Sequence, residues 1–473
     1  MPPTTYRSSS TWWTRDQPEV LGGSQKGATL SGDLARRIAQ TDPRLLVPSG
    51  VVAPDRLSLV DAWTLPAGGP PLILALAQDA EQRWHALPLV DDAQGLRRAR
   101  EGEGWAAAAV GIVASASRDS ATAGIGFTVR LAGPDVAPDL GGFLSEFMAE
   151  SSPIHEVVVV GQSVRLRLDL LPREVVGPAF DAIPHLTMGG LTAIGRSSGD
   201  VIWADTDRWV APIVGVAEPL SGMPLDEAFG RAASRHLRGG DDPEPTLVLA
   251  RGLARLLAEL HIVLATPTTV LPQPMTALTE GQAAAMSRAA RDSVAEAAVL
   301  TDQDTQHHVR SRRQSMRTAF QPLAEAVGSP LLPAAPFTAL GQASVGEDVG
   351  STLILDPLQL TSAEPPRPAV ADVAALLRAV NHVAHGALRR MVGGGESVPV
   401  ERVATWTLAV RELVLSEYRL ALAQADRSAL FDERLLLGLE IEAECRALSY
   451  AARTLSTWST VPDAGLLELL PPD

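Results

Sequence analysis

Cysteine, lysine and asparagine are almost absent from this chain. Among 473 residues there is one cysteine, Cys445, one lysine, Lys26, and one asparagine, Asn381. A single cysteine rules out a disulfide within the chain and any thiolate metal cluster. A single lysine at residue 26 means that any role for an ammonium beyond that point has no residue to fill it. Abundant Ala, Leu, Arg and Pro point to a GC-rich genome, whose codon bias is the plain explanation for scarce lysine. Positive charge is also in deficit, with a net charge of −15. No basic patch is there to meet a phosphate backbone, so nucleic acid is not an expected partner. The densest basic run, "RSRRQ" (310–314), reads as a solvated helix face. Long apolar runs are missing too. The longest, "WAAAAVGIVA" (105–114), is about half of what a membrane-spanning helix needs. The N-terminus "MPPTTYRSSSTWWTRDQ" carries no apolar signal-peptide core, so a cytoplasmic protein without a membrane partner is expected.

What is present is an ordinary globular balance, 46% apolar and 20% charged, in a chain long enough for two or three domains. Residues 1–30 lack periodicity and read as a flexible tail, with Trp12-Trp13 expected to dock on a neighbouring surface. Residues 31–115 hold short strand candidates at 55–65, 70–78 and 82–90, then an apolar segment (102–115) that fits a strand pair or a short helix. Residues 116–237 form a second β-rich segment. Its clearest feature is "HEVVVVGQSVRLRLDLLP" (155–172), two alternating runs around Gly161-Gln162 that spell a hairpin. Within it "GFLSEFMAES" (142–151) reads as a short amphipathic helix. "RGGDDPEPT" (238–246) is a linker. Residues 246–473 turn helical. Leu249, Leu253, Leu256, Leu257, Leu260 and Leu264 make one stripe. Further helices are expected at 280–300, 310–327, 371–392, 400–425 and 432–458. The order of β-rich cap, β-rich lobe, linker and helical lobe predicts an α+β, two-lobed protein-kinase-like fold.

One stretch interrupts the helices: "LGQASVGEDVGSTLILDP" (340–357), a glycine-bearing loop leading into a β-branched strand that ends on Asp356. Phosphoryl transfer needs a cation on the nucleotide phosphates, a carboxylate for the acceptor hydroxyl and oxygen ligands for magnesium. In two-lobed kinases the cation lies on an N-lobe strand, and the rest lie on such a loop and strand.

On these segments, and on "PAVADVAALLRAVNHVA" (368–384) and "EIEAECRALSYAARTLSTW" (440–458), the chain resembles actinobacterial maltokinases, within the aminoglycoside-phosphotransferase-like sugar kinases. The resemblance identifies 31–115 with the maltokinase N-terminal cap. It matches the family's catalytic-loop aspartate to Gln342, its metal-ligating glutamine to Glu347 and its metal-binding aspartate to Asp356. The family's phosphate-binding lysine falls on Arg167, or on Arg165, and a structural aspartate on Asp372. Gln342 cannot take a proton, and losing such a base costs roughly 10²–10⁴-fold. An arginine grips phosphate as a planar fork rather than as a point charge.

Three readings follow. The first is a pseudokinase with a binding or regulatory role in trehalose, maltose or α-glucan metabolism, partnered by an active maltokinase, trehalose synthase or another glucan enzyme. The second is an active ATP-dependent sugar kinase with a rewired site: Arg167 on phosphate, Glu347 and Asp356 on magnesium, Asp348 as base. The third is a sugar- or glucan-binding module without nucleotide. Mg-ATP is the cofactor only if nucleotide binding is kept. Against the rewired site stands a plainer reading in which Glu347 and Asp348 are exposed loop acids and Asp356 caps a strand end. His261 reads as a packing histidine, His307-His308 as an exposed helix start, and His382 with His385 as a structural pair. Trp203 and Trp209 read as core before sugar platforms.

Overall fold

The computed structural model describes residues 27–47, 54–65, 70–100, 102–115, 126–131, 146–151, 155–160, 164–172, 182–204, 210–240, 242–333, 337–346, 352–360, 365–454 and 456–470. The chain divides into two compact units, Met1–Ala179 with Gly195–Pro219, and Phe180–Ile194 with Leu220–Asp473.

The first unit opens with helix α1 (Gly27–Gln40), which begins inside the segment expected as a tail. Strands β1 (Leu57–Leu65), β2 (Leu72–Asp79), β3 (Trp84–Asp92) and β4 (Gly95–Arg98) follow as an antiparallel meander. β2 is apolar almost throughout because both of its faces are covered. Ile73, Ala75 and Ala77 pack with Leu34 and Ile38 of α1. Leu72, Leu74 and Leu76 face a second core. That core is shared with helix α2 (Trp105–Ser115) and a six-stranded sheet. So the ambiguous apolar run is a helix; Trp105, Ala106, Ala109, Val110 and Val113 are all buried in it.

The six strands are β5 (Gly126–Leu131), β6 (Glu146–Ser151), β7 (His155–Val160), β8 (Val164–Asp169), β9 (Ser197–Ala204) and β10 (Val210–Ala217). Their order is β5-β9-β10-β8-β7-β6. β7 and β8 pair antiparallel from His155↔Asp169 to Val160↔Val164, as the hairpin pattern required; its turn lies outside the described residues. The helix expected at 142–151 is replaced by β6. Pairing with β7 (Glu146↔Val160 to Ser151↔Glu156) supplies ladder bonds that outweigh local helix propensity. Polar links also join the two sheets. Arg98 meets Glu156, the Trp203 indole donates to Asp61 at 3.0 Å, and the Ala86 amide donates to the Leu170 carbonyl at 3.0 Å.

The second unit is mostly helical: α3 (Ala182–Met188), α4 (Leu225–Leu237), α5 (Glu244–Leu264), α6 (Glu280–Leu300), α7 (Gln303–Ser311), α8 (Arg313–Ala319), α9 (Gln321–Ala324), α10 (Val370–Gly393), α11 (Glu401–Gln424), α12 (Leu436–Thr454) and α13 (Thr460–Leu469). All six leucines of the α5 stripe are buried in one core with α4, α10, α11 and α12. The single helix expected over 310–327 is three pieces. The chain leaves helical geometry at Arg312 (φ −106°, ψ 15°), and Pro322 at the start of α9 has no amide to continue α8. Strands β11 (Met223–Pro224), β12 (Thr276–Ala277), β13 (Pro330–Leu331), β14 (Ala343–Val345) and β15 (Leu353–Leu355) make two small sheets, β11-β14-β15 and β12-β13. The first of these carries the stretch 340–357.

Candidate functional site

In the helical unit the stretch starts as a 3₁₀ turn, Leu340–Gln342, and runs through β14 and β15 to Asp356. It is fastened at several points. β11 pairs with β14 through Met223↔Val345 and Pro224↔Ser344. Just before it, Gly222 sits at φ +103°, and a Cβ there would overlap the Val345 carbonyl. The Leu355 amide donates to the Ala193 carbonyl at 2.9 Å. Asp356 is buried at the strand end, and its Oδ1 accepts the Leu358 amide at 3.1 Å, capping the turn Pro357–Gln359. Glu347 and Asp348 lie outside the described residues.

Gln342 occupies the position matched to the catalytic aspartate, and its side chain is held on the inside of the loop. Its Oε1 accepts the amides of Thr338 (2.7 Å) and Ala339 (2.8 Å). Its Nε2 donates to the Gln359 carbonyl at 3.0 Å. Its own carbonyl accepts the Asp356 amide at 2.8 Å. The residue is 8% exposed. The next amide back along the loop, Phe337, donates to Asp372 at 3.2 Å, and Asp372 also pairs with Arg367. Behind Asp372 lies His261, fully enclosed, with Nε2 3.4 Å from that carboxylate and Nδ1 2.7 Å from the Tyr418 hydroxyl. Burial, with the Arg367 charge adding to it, pushes the His261 pKa down to about 3. The packing role expected for His261 is the one it has: it stays neutral and braces the aspartate that holds the loop.

In the sheet unit, alternation along β8 sends Leu166 and Leu168 into the core and places Arg165, Arg167 and Asp169 on the opposite face. Arg167 donates through Nε to Asp169 at 2.9 Å. Burial pushes the Asp169 carboxyl up, and the charges of Arg167 and His155 pull against that rise. Across the ladder, Gly215 faces Arg167 and Ala217 faces Arg165, and Asp200 stands opposite Gly215 on β9. The two neighbours on β10 bring almost no side-chain bulk, yet Arg167 itself is buried, 8% exposed, against Asp169.

The remaining candidates are structural. Trp203 is 5% exposed, tilted against Trp84 at 5.2 Å, and belongs to the shared core. Trp209 and Trp12-Trp13 lie outside the described residues. His382 and His385 do not form a pair: they meet Glu444 (2.6 Å) and Glu468 (2.8 Å) respectively. Asn381 donates to Glu468 at 2.6 Å, and Arg378 bridges Glu440 and Glu444. His308 lies 2.9 Å from Asp463. Among the described residues no group of three or more His, Cys, Asp and Glu is arranged to hold a metal ion, and no helix is long and apolar enough to cross a membrane. Within the sheet unit the charged donors of β8 are Arg165 and Arg167, and within the helical unit the buried carboxylate at the end of the stretch is Asp356, engaged with the Leu358 amide. Residue 342 supplies no base. Sequence reasoning missed two things, the partner Asp169 and the clamp made by Gln342. The first was open to an i, i+2 reading of β8, while the second depends on bonds made by a turn.

No family model matches the chain. It is 29% identical to "Glucosamine kinase" of Streptacidiphilus jiangxiensis over 446 residues, covering 92% of this chain and 97% of that protein. It is 27% identical to "Glucosamine kinase" of Mycolicibacterium smegmatis (strain ATCC 700084 / mc(2)155) over 442 residues, covering 88% and 98%. Among solved structures, a glucosamine kinase in complex with glucosamine, ADP and inorganic phosphate superposes with a TM-score of 0.68 at 25% identity, over 92% of this chain and 99% of that one. A second crystal form of glucosamine kinase reaches 0.72 over the same shares. The chain thus has the α+β, kinase-like fold of these enzymes, with a β-sheet N-lobe and a helical C-terminal part, and is a sugar-kinase-like protein. The relatives carry the name of an amino-sugar kinase, so the maltose and trehalose setting expected from the maltokinase resemblance draws no support from them.

Proposed function

We propose that this protein is a kinase-fold binder of Mg-ATP and an amino sugar of the glucosamine class, with little or no phosphoryl transfer of its own. Similarity to glucosamine kinases along most of its length supports the ligands. The observation that carries the lack of turnover is Gln342. Its amide accepts from two main-chain amides and donates to a main-chain carbonyl, so the residue is an internal fastener with no proton-accepting group to offer. In this reading Arg167 and Arg165 face the nucleotide phosphates, and Asp356 is the carboxylate that faces magnesium. Magnesium, when bound, would neutralise phosphate charge there. A regulatory partner, such as an active kinase of the same fold, would give such binding a use.

A second reading keeps catalysis, with Arg167 on phosphate, Glu347 and Asp356 on metal and Asp348 as base. Similarity to a protein named glucosamine kinase, 29% identical over 92% of this chain, favours it. Melting curves with Mg-ATP, glucosamine and maltose, run beside an ADP-release assay, separate the readings. A ligand at 100 times its Kd adds about 2.7 kcal/mol of stability. We expect stabilisation by Mg-ATP and by glucosamine, and ADP release no faster than without sugar. Glucosamine-dependent ADP release would establish the active kinase instead. Stabilisation by sugar alone would leave a sugar-binding module.

A further inference from the structure

The amide of Gln342 is used at both ends and in opposite senses, and this is informative about why the residue is glutamine. A carboxylate at 342 would satisfy the Thr338 and Ala339 amides, but it has no hydrogen to give the Gln359 carbonyl. An apolar side chain would leave three main-chain groups unsatisfied in a buried loop, each costing about 1–3 kcal/mol. The residue also grips the Asp356 turn from both sides. Its carbonyl accepts the Asp356 amide, and its Nε2 donates to the Gln359 carbonyl, three residues further on. Between those grips lies a bond made by the Asp356 carboxylate itself, Oδ1 to the Leu358 amide. The loop side is held as firmly, since the amides of Phe337, Thr338 and Ala339 are taken in sequence by Asp372 and Gln342.

We infer that Gln342 is a positioning residue: it touches neither nucleotide nor metal, and it fixes the direction of the Asp356 carboxylate, on which cation-assisted nucleotide binding depends. The inference rests on the proposed function for its ligand and stands apart from it for its geometry. Gln342→Glu is the near-isosteric variant that removes the donor and adds a charge, and Gln342→Ala removes the side-chain bonds to Thr338, Ala339 and Gln359.

Three measurements on the full chain decide it. In the first, nucleotide affinity is compared with Mg²⁺ and in EDTA. Both variants should weaken Mg-ATP binding about tenfold or more while changing metal-free ATP binding less than twofold. Adding Gln342→Glu to Asp356→Asn should cost nothing further, because Gln342 acts through that carboxylate. Equal losses with and without Mg²⁺, or additive losses, would overturn the inference. The second is hydrogen exchange at the amides of Asp356 and Leu358, which needs no ligand. Exchange should speed up about tenfold in Gln342→Glu, and unchanged exchange would overturn the positioning role even if the wild type binds no nucleotide. That last result in the wild type would itself sink the proposed function and leave the geometric claim to the exchange data. The third is Gln342→Asp, which restores the acid. Glucosamine-dependent ADP release from it would show residue 342 to be catalytic ground after all; we expect none.

Discussion

Taking a guanidinium out of water costs several kcal/mol unless an anion meets it. Arg98, at the end of β4, is answered by Glu156 on β7, and both side chains are largely buried. Burial lowers the Arg98 pKa, and the Glu156 charge and hydrogen bond work against that fall. The pair ties the four-stranded sheet to the six-stranded one. Arg98→Met should strand a buried carboxylate and cost about 3–5 kcal/mol in urea unfolding. Arg98→Met with Glu156→Leu should recover most of it. A single variant losing under about 1 kcal/mol would show that Glu156 is reached by water. The scarce residue types are used in the same way. Asn381, the one asparagine, is a donor to Glu468 inside the helical unit and has no part in the loop.

At the scale of elements, a few backbone placements set the loop. β11, β14 and β15 are only two or three residues each, so their sheet depends on close contact rather than on length. Gly222 makes that contact possible. Alanine there would combine a disfavoured φ of +103° with overlap on the Val345 carbonyl. We expect Gly222→Ala to cost at least about 2 kcal/mol and to deprotect the β14 amides in hydrogen exchange. Gly341→Ala, with open space around its Cβ position, should lie within about 0.5 kcal/mol of wild type. Equal melting of the two would refute this account.

The same scale explains what the sequence disclosed. The β7–β8 hairpin and the α5 stripe were legible because periodicity records burial. β6 was not, because a six-residue run became a strand only through its partner. The break of 310–327 was signalled by Pro322 and overlooked. Asp356 and Gln342 drew notice through the maltokinase resemblance, whereas the clamp was not legible, since its partners at 338, 339 and 359 meet only after the turns form.

For the molecule as a whole, acid should act on the two units in different pH ranges. Asp79, in the sheet unit, is buried. Burial alone would raise its pKa, but the bonds from His85 and Arg83 prevail and hold it at about 2. Against an unfolded value of about 3.9, its contribution of roughly 2 kcal/mol is complete above pH 4 and fades between there and pH 2. His261, in the helical unit, is held down to about 3 by burial, with Arg367 adding to it. The unfolded chain binds its proton from about pH 6.5 downward while the folded one does not. Stability from neutral His261 is therefore complete above pH 6.5 and falls by about 1.4 kcal/mol per pH unit below it. Separate cores make separate calorimetric transitions the expectation. Between pH 7 and 5 the transition of the helical unit should move down, and that of the sheet unit should stay until about pH 4. Carboxyls raised by burial, Asp463 and Glu442 among them, gain in acid and oppose the trend, so the clean reading is a difference. His261→Gln should lower the helical transition at pH 7 and flatten its slope between pH 7 and 5. An unchanged slope in that variant would mean that the acid lability of the helical unit arises elsewhere than at the histidine behind Asp372.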